Sequence, residues 1–227
     1  MLIAPEEDLE RLALDQAVVA ALSARLAAGP RPSVDAEAIA LRQVLSGLSS
    51  LERQAVRALL GRIEATTAPS LVSCGPLSQM LASDRWGLVH SPVADPDQAL
   101  KHVTQGGRAL IDLASPRPWW AKLLALPQAK IIAALPDDAV AQPRCLLVSS
   151  EAPGPTGDDR TFWVTDSAAP DARIIAALGD QGLYASLLTS GGGLKLFVLT
   201  GYVQAEDPRL QSAPGQLSGV IGAAPVY

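Results

Sequence analysis

Arg160-Thr-Phe-Trp-Val-Thr165 reads as a strand, Pro170 to Leu178 as a short helix stopped by Gly179, and Tyr184 to Ser190 and Leu194 to Tyr202 as two further strands around Gly191-Gly192-Gly193. Asp207 to Gln211 opens a second helical piece, and Gly219 to Tyr227 closes with a last strand. Strand, helix, two hairpin-paired strands, helix and strand predict a ferredoxin-like βαββαβ unit, an antiparallel four-stranded sheet with both helices on one face. That architecture hosts many activities and by itself names none.

Upstream of this unit, Pro153 to Gly157 reads as a flexible linker, with Asp158-Asp159-Arg160 capping the start of the last domain. Between Ser70 and Ser150 strand-like and helix-like stretches alternate. Leu71 to Cys74, Gly87 to His90, Ala109 to Leu113, Ala129 to Ala134 and Arg144 to Val148 read as strands, and helices are expected from Gly75-Pro76 to Ser83 and from Asp95 to Thr104. Such alternation predicts a mainly parallel α/β sheet. The first part is helical: Pro5 to Ala28 carries Leu9, Leu12, Val19, Leu22 and Leu26 at helical spacing, with Glu6, Glu7 and Asp8 in its first turn and Gly29-Pro30 at its end. A second helix starts near Ser33, with Glu37 close to a capping arrangement, and a third runs from Ser50 to Thr67. Helices this few bury little on their own, so a homodimer is expected.

A chain of 227 residues that is 48% hydrophobic supports one large core or two to three small ones. Its net charge of −5 gives no basic field for nucleic acid. Cys74 and Cys145 lie in apolar stretches without metal-type spacing and read as reduced core residues. His90 and His102 sit on different elements with no ligand partners at suitable spacing, so neither a metal nor a cofactor is expected. Trp119-Trp120 reads as an anchor of a helix to a sheet. Gly191-Gly192-Gly193 joins two strands and lacks the lysine-serine pair and helix of a phosphate loop. Met1 to Asp8 turns acidic before an apolar run grows, and no run reaches the roughly 18 residues of a membrane span, which predicts a cytoplasmic protein without a membrane partner.

Gly182-Leu183, Thr200-Gly201-Tyr202-Val203, Glu206-Asp207-Pro208-Arg209-Leu210 and Val220-Ile221-Gly222-Ala223-Ala224-Pro225 come in an order that resembles the ACT regulatory domain ending prephenate dehydratases. Leu14-Asp15 with Arg25 ten positions on, Asp35 to Arg42, and Arg62 to Thr66 resemble the all-helical chorismate mutase that precedes prephenate dehydratase in the bifunctional P-protein. The strand leading into Gly75-Pro76, the acidic-Pro cap Asp95-Pro96 and the Cys145-Leu-Leu strand are similar to one lobe of the dehydratase itself. The resemblance implies an α+β chain in three parts. Residues 1–68 form a chorismate-mutase-like helical module, 69–152 an α/β lobe, and 158–227 an ACT-like domain.

Chorismate is a dianion, and its pericyclic rearrangement needs cations that grip two carboxylates and a donor where negative charge grows. The resemblance places Arg25 and Glu37 in such a site. The first arginine of the family pattern falls on Asp8, the paired arginine on Ala36 and the late glutamine near Ser70; Arg11, Arg31 and Arg42 remain as substitutes. Each missing donor costs roughly 3–4 kcal/mol of transition-state stabilisation. The expectation is therefore a shortage of fixed positive groups and a catalytically degenerate relative that binds a small anionic metabolite, an aromatic amino acid or a partner enzyme of that pathway; the alternative is an active chorismate mutase with substituted arginines. Prephenate dehydration is not expected, because the Thr-Thr-Arg-Phe run and the second lobe are missing, and Arg160-Thr161-Phe162 has the letters in another order. At the positions where phenylalanine-binding ACT domains clamp their ligand stand Asp171-Ala172-Arg173 and Thr189-Ser190-Gly191-Gly192. Asp171, Ala172, Arg173 and Ser190 are the candidate ligand contacts there.

Overall fold

The computed structural model describes residues 8–29 and 33–227. Pro5, Glu6 and Glu7 of the expected first turn, Pro30, and Arg31 among the substitute cations lie outside these residues, as does the side chain of Leu26.

Three helices come first, α1 (Leu9–Ala28), α2 (Val34–Leu45) and α3 (Ser50–Glu64). Each starts where a short polar side chain satisfies an orphan backbone N–H. Asp8 accepts from Arg11 N, Ser33 from Ala36 N and Ser49 from Glu52 N, while Glu52 accepts from Ser49 N to complete a capping box. Ala21, Leu45, Val56 and Leu60 form a small core among the three. Leu9, Leu12 and Val19 remain exposed on the outer side of α1. Among the described residues no helix is long and apolar enough to cross a membrane.

The central part runs β1 (Leu71–Cys74), α4 (Pro76–Trp86), β2 (His90–Val93), α5 (Pro96–Thr104), β3 (Arg108–Asp112), β4 (Lys130–Leu135) and β5 (Cys145–Ser149), with a 3-10 segment at Trp119–Ala125. β1 pairs in parallel with β2 and β3, as strand-helix alternation requires. β5 instead runs antiparallel to β3 and β4, which corrects the expectation of a mainly parallel sheet. Residues 136–144 join β4 to β5 without a crossover helix, and so short a connection reverses the chain. β2 begins at His90, later than the sequence suggests, and leaves Leu88 and Val89 exposed ahead of it.

The last part comprises β6 (Asp159–Thr165), α6 (Asp171–Asp180), β7 (Ala185–Gly191), β8 (Leu194–Thr200) and β9 (Ser218–Pro225), in spatial order β9-β6-β8-β7 with every neighbour antiparallel. Gly192 and Gly193, at φ 58° and 79°, make the mirror-image turn that suits the twist of a two-residue hairpin. The second expected helix shrinks to a 3-10 turn at Pro208–Leu210, because the run from Asp207 to the breaker pair Pro214-Gly215 is too short to propagate an α-helix. α6 covers Trp163, Phe197 and Leu199 on one face. On the other, Trp119 and Trp120 join a core with Phe162, Val164, Leu196 and Ile221, and Trp119 Nε1 donates to the Asp112 carbonyl at 3.0 Å. The paired tryptophans thus anchor the 3-10 segment to the sheet. β4 meets β9 at Ile131 and Gly222, which makes one nine-stranded sheet in the order β2-β1-β3-β5-β4-β9-β6-β8-β7.

Candidate functional site

The helical layer and the sheet line a half-open hollow of about 350 Å³. Trp86, Ile132, Leu135 and Leu147 line it from α4 and the strands, and Val34, Ala38, Leu41 and Leu60 from α2 and α3. Arg57, Leu60, Gly61 and Glu64 follow one another at helical i, i+3, i+4, i+7 spacing, so α3 presents all four to this hollow. Gly61 sets how close α3 comes to α4: a Cβ there would lie 2.3 Å from the Arg85 carbonyl oxygen. The bare backbone brings Arg57 and Arg85 onto one wall. Among the described residues, Arg25 from α1 and Arg108 from β3 complete four guanidinia, faced by the carboxylates of Glu37, Glu64, Asp137 and Glu151.

Most of these charges are already engaged. Asp137 receives Arg85 Nη2 at 3.0 Å on Oδ1 and 2.8 Å on Oδ2, and also pairs with Arg57. Glu64 pairs with Arg108 and accepts from Trp86 Nε1 at 3.2 Å. Arg25 Nε lies 3.4 Å from Glu37 Oε1, and Arg25 also donates to the Gly29 carbonyl at the end of α1. Glu37, expected to help cap α2, serves this pair. Burial, with the Arg85 charge adding to it, lowers Arg57 to about 9, and burial lowers Arg85 as well. Arg57 is still protonated at neutral pH. The Tyr227 ring packs 5.3 Å from Arg57 and 5.8 Å from Arg42, and burial pushes its phenol up to about 12, so it stays neutral. Among the described residues, Nε of Arg57 and Nε of Arg108 are buried without a hydrogen-bond partner. Such donors suit a planar carboxylate, which accepts two parallel N–H bonds. Among the described residues no group of three His, Cys, Asp or Glu side chains is placed to hold a metal ion.

Of the residues singled out by sequence, Arg25 and Glu37 meet in this hollow. Arg42 points away from it, donating to the carbonyls of Thr156, Asp158 and Val226, and Arg11 is exposed on α1. Asp171 pairs with Lys195 at 2.7 Å, and Ser190 stands opposite Lys195 in the β7–β8 register, while Ala172 and Arg173 are exposed at the start of α6. The expected shortage of positive groups needs correcting: Arg57, Arg85 and Arg108, at positions that the motif pattern does not use, converge from α3, α4 and β3. One signal was available, since Arg108 is a charge at the head of the apolar run Ala109-Leu-Ile.

A second polar cluster lies at His90, between Ser73 (2.8 Å from Nδ1) and Ser83 (2.9 Å from Nε2). Ser83 donates its proton to the Gln79 carbonyl, so it accepts from His90, and Ser73 donates to the other ring nitrogen. Ser73 is fully buried. This chain of bonds engages both ring nitrogens of His90.

No protein-family model and no curated protein matches the chain. Among solved structures it is similar to GqqA, described as a novel type of quorum quenching acylase, at 15% identity and a TM-score of 0.48, with 69% of this chain and 95% of that chain covered. It is also similar to the prephenate dehydratase of Staphylococcus aureus subsp. aureus Mu50, at 10% identity and a TM-score of 0.44 over 68% of this chain and 99% of that one. A third is the prephenate dehydratase of Arthrobacter aurescens in complex with L-Phe, at 14% identity and a TM-score of 0.42 over 68% of this chain and 89% of that one.

Proposed function

We propose that this chain is a divergent, shortened relative of the chorismate mutase and prephenate dehydratase enzymes, tied to phenylalanine and tyrosine biosynthesis, that binds a small anionic metabolite without turning it over. The observation that carries this reading is the hollow in which four guanidinia face four carboxylates. The buried Nε donors of Arg57 and Arg108 offer a ligand carboxylate something to gain. A pericyclic transition state needs cations whose field is not already answered. Here Glu37, Glu64 and Asp137 answer them, which favours binding over acceleration. We read residues 1–68, 69–152 and 158–227 as the three parts, the last an ACT-like domain whose Asp171, Ala172, Arg173 and Ser190 form a second contact set for an aromatic amino acid. A cytoplasmic homodimer, and docking on an enzyme of the same pathway, complete the proposal.

A second reading, an active chorismate mutase that forms prephenate, is favoured by the convergence of Arg25, Arg57, Arg85 and Arg108 with Glu37. The loss of chorismate ultraviolet absorbance separates the two. The binding reading expects none; turnover abolished by Arg25→Ala and by Arg57→Ala establishes the mutase. Calorimetry with prephenate, phenylalanine and tyrosine tests binding directly. Heat is expected with at least one of them, weakened about tenfold or more by Arg108→Ala, which corresponds to about 1.4 kcal/mol. Silence with all three, and no pathway enzyme recovered with the chain from cells, sinks the proposal.

A further inference from the structure

A second hollow, of about 450 Å³, adjoins the one described, and Arg57, Arg85, Leu135, Asp137 and Tyr227 line both. The centre of this shared wall is the Asp137 carboxylate, 7% exposed and held by Arg57 and Arg85 together. Asp84 and Asp138 line the same hollow and help to answer the two guanidinium charges, but the Arg57 Nε is still without a hydrogen-bond partner among the described residues. A buried donor left without an acceptor is costly, so the pair has room for an acceptor that Asp137 does not supply. The two arginines stand on helices α3 and α4, whereas Asp137 belongs to the connection 136–144 between two strands. Its neighbour Asp138 is committed elsewhere, accepting from Val140 N and Ala141 N. Asp137 is thus the one member of the cluster carried by a loop.

We infer that Arg57 and Arg85 form a receptor for the carboxylate of a small organic acid, and that Asp137 is an internal occupant which such an acid displaces, joining the two hollows. The receptor rests on the metabolite reading above through Arg57, which serves both, but it draws on neither Arg25 nor Arg108, so loss of metabolite binding in Arg108→Ala leaves it standing. It also gives the Asp137 loop a role: an acid that takes the arginines releases the loop, and a loop that closes expels the acid.

The test removes the occupant and supplies its chemistry from solution. Asp137→Ala is melted in sodium acetate and in sodium benzoate, against sodium chloride at matched ionic strength. The expected result is a melting temperature that rises with either carboxylate and not with chloride, by about 2–4 °C for each fivefold excess over the dissociation constant. Wild type, still occupied by Asp137, shifts less at the same concentrations. Equal melting of the variant in acetate, benzoate and chloride overturns the inference. Should the variant fold in no salt, wild type decides: benzoate raising its melting temperature above matched chloride, with the increment lost in Arg85→Gln, supports the receptor, and no increment overturns it.

Discussion

Arg42 on α2 holds Thr156 by both its carbonyl, at 2.5 Å, and its hydroxyl, at 2.9 Å. The same guanidinium donates to the carbonyls of Asp158 and Val226, while Thr156 binds the buried Asp159 carboxylate through its N–H and its hydroxyl. One side chain of the helical layer therefore fastens both the segment ahead of β6 and the end of β9. The stretch that sequence marks as a flexible linker is pinned here, because its backbone acceptors meet a charged fork with more donors than α2 can use.

Arg42→Ala strands those acceptors, and hydrogen bonds to charged groups are the costly ones to lose. Chemical denaturation should show a loss of about 2–4 kcal/mol. Arg42→Lys should recover less than half, since an ammonium cannot fork across several carbonyls. A loss in Arg42→Ala within about 0.5 kcal/mol, the ordinary range of a surface change, would contradict this arrangement.

Gly222 carries the junction between β4 and β9. Its φ is 147°, and a Cβ there would sit 2.3 Å from the Ile131 carbonyl oxygen and 2.4 Å from its nitrogen. Neither atom belongs to a side chain that can move aside. Gly222→Ala should therefore cost more than about 4 kcal/mol or give insoluble protein, in the range reserved for backbone conflicts. A variant with wild-type melting behaviour would mean that the two halves of the sheet do not abut as described.

Much of the fold was legible in the chain because hydrophobic runs and breakers mark elements locally. β6, α6, the β7–β8 hairpin and β9 fall within a few residues of where Arg160 to Tyr227 places them. Strand direction was not legible, since Cys145-Leu-Leu-Val reads the same in a parallel or an antiparallel sheet; the short 136–144 connection held that information. The site was half legible. Arg25 and Glu37 stand out through a motif spacing, but Arg57, Arg85 and Arg108 become neighbours only once Gly61 lets α3 close on α4 over the sheet. An arginine on a helix looks solvent-facing until the partner of that face is known.

Cys74 and Cys145 are buried, and burial raises both thiols, Cys145 to about 12. The thiolate is the reacting species, so native protein should resist a disulfide reagent at neutral pH and react fully once unfolded in guanidinium. Rapid labelling of either cysteine in native protein would place it at the surface and refute the packing of β1 or β5.

Tyr227 and Arg57 titrate with opposite consequences. Burial lifts the phenol from 10 to about 12 against the lowering pull of Arg85, Arg57 and Arg42. The folded chain thus holds this proton more tightly than the unfolded one. Its contribution, on the order of 2–3 kcal/mol, is complete below pH 10 and disappears as pH rises through 12. Arg57 is displaced the other way, down to about 9, so its protonated form opposes folding and that opposition fades as pH climbs above 9. Tyr227→Phe removes the falling limb and keeps the rising one. Between pH 10 and 12 the two limbs offset one another in wild type, so the urea midpoint of the variant should rise relative to that of wild type. Parallel curves would show that the phenol ionises as an exposed tyrosine does, and that its ring does not pack between Arg42 and Arg57.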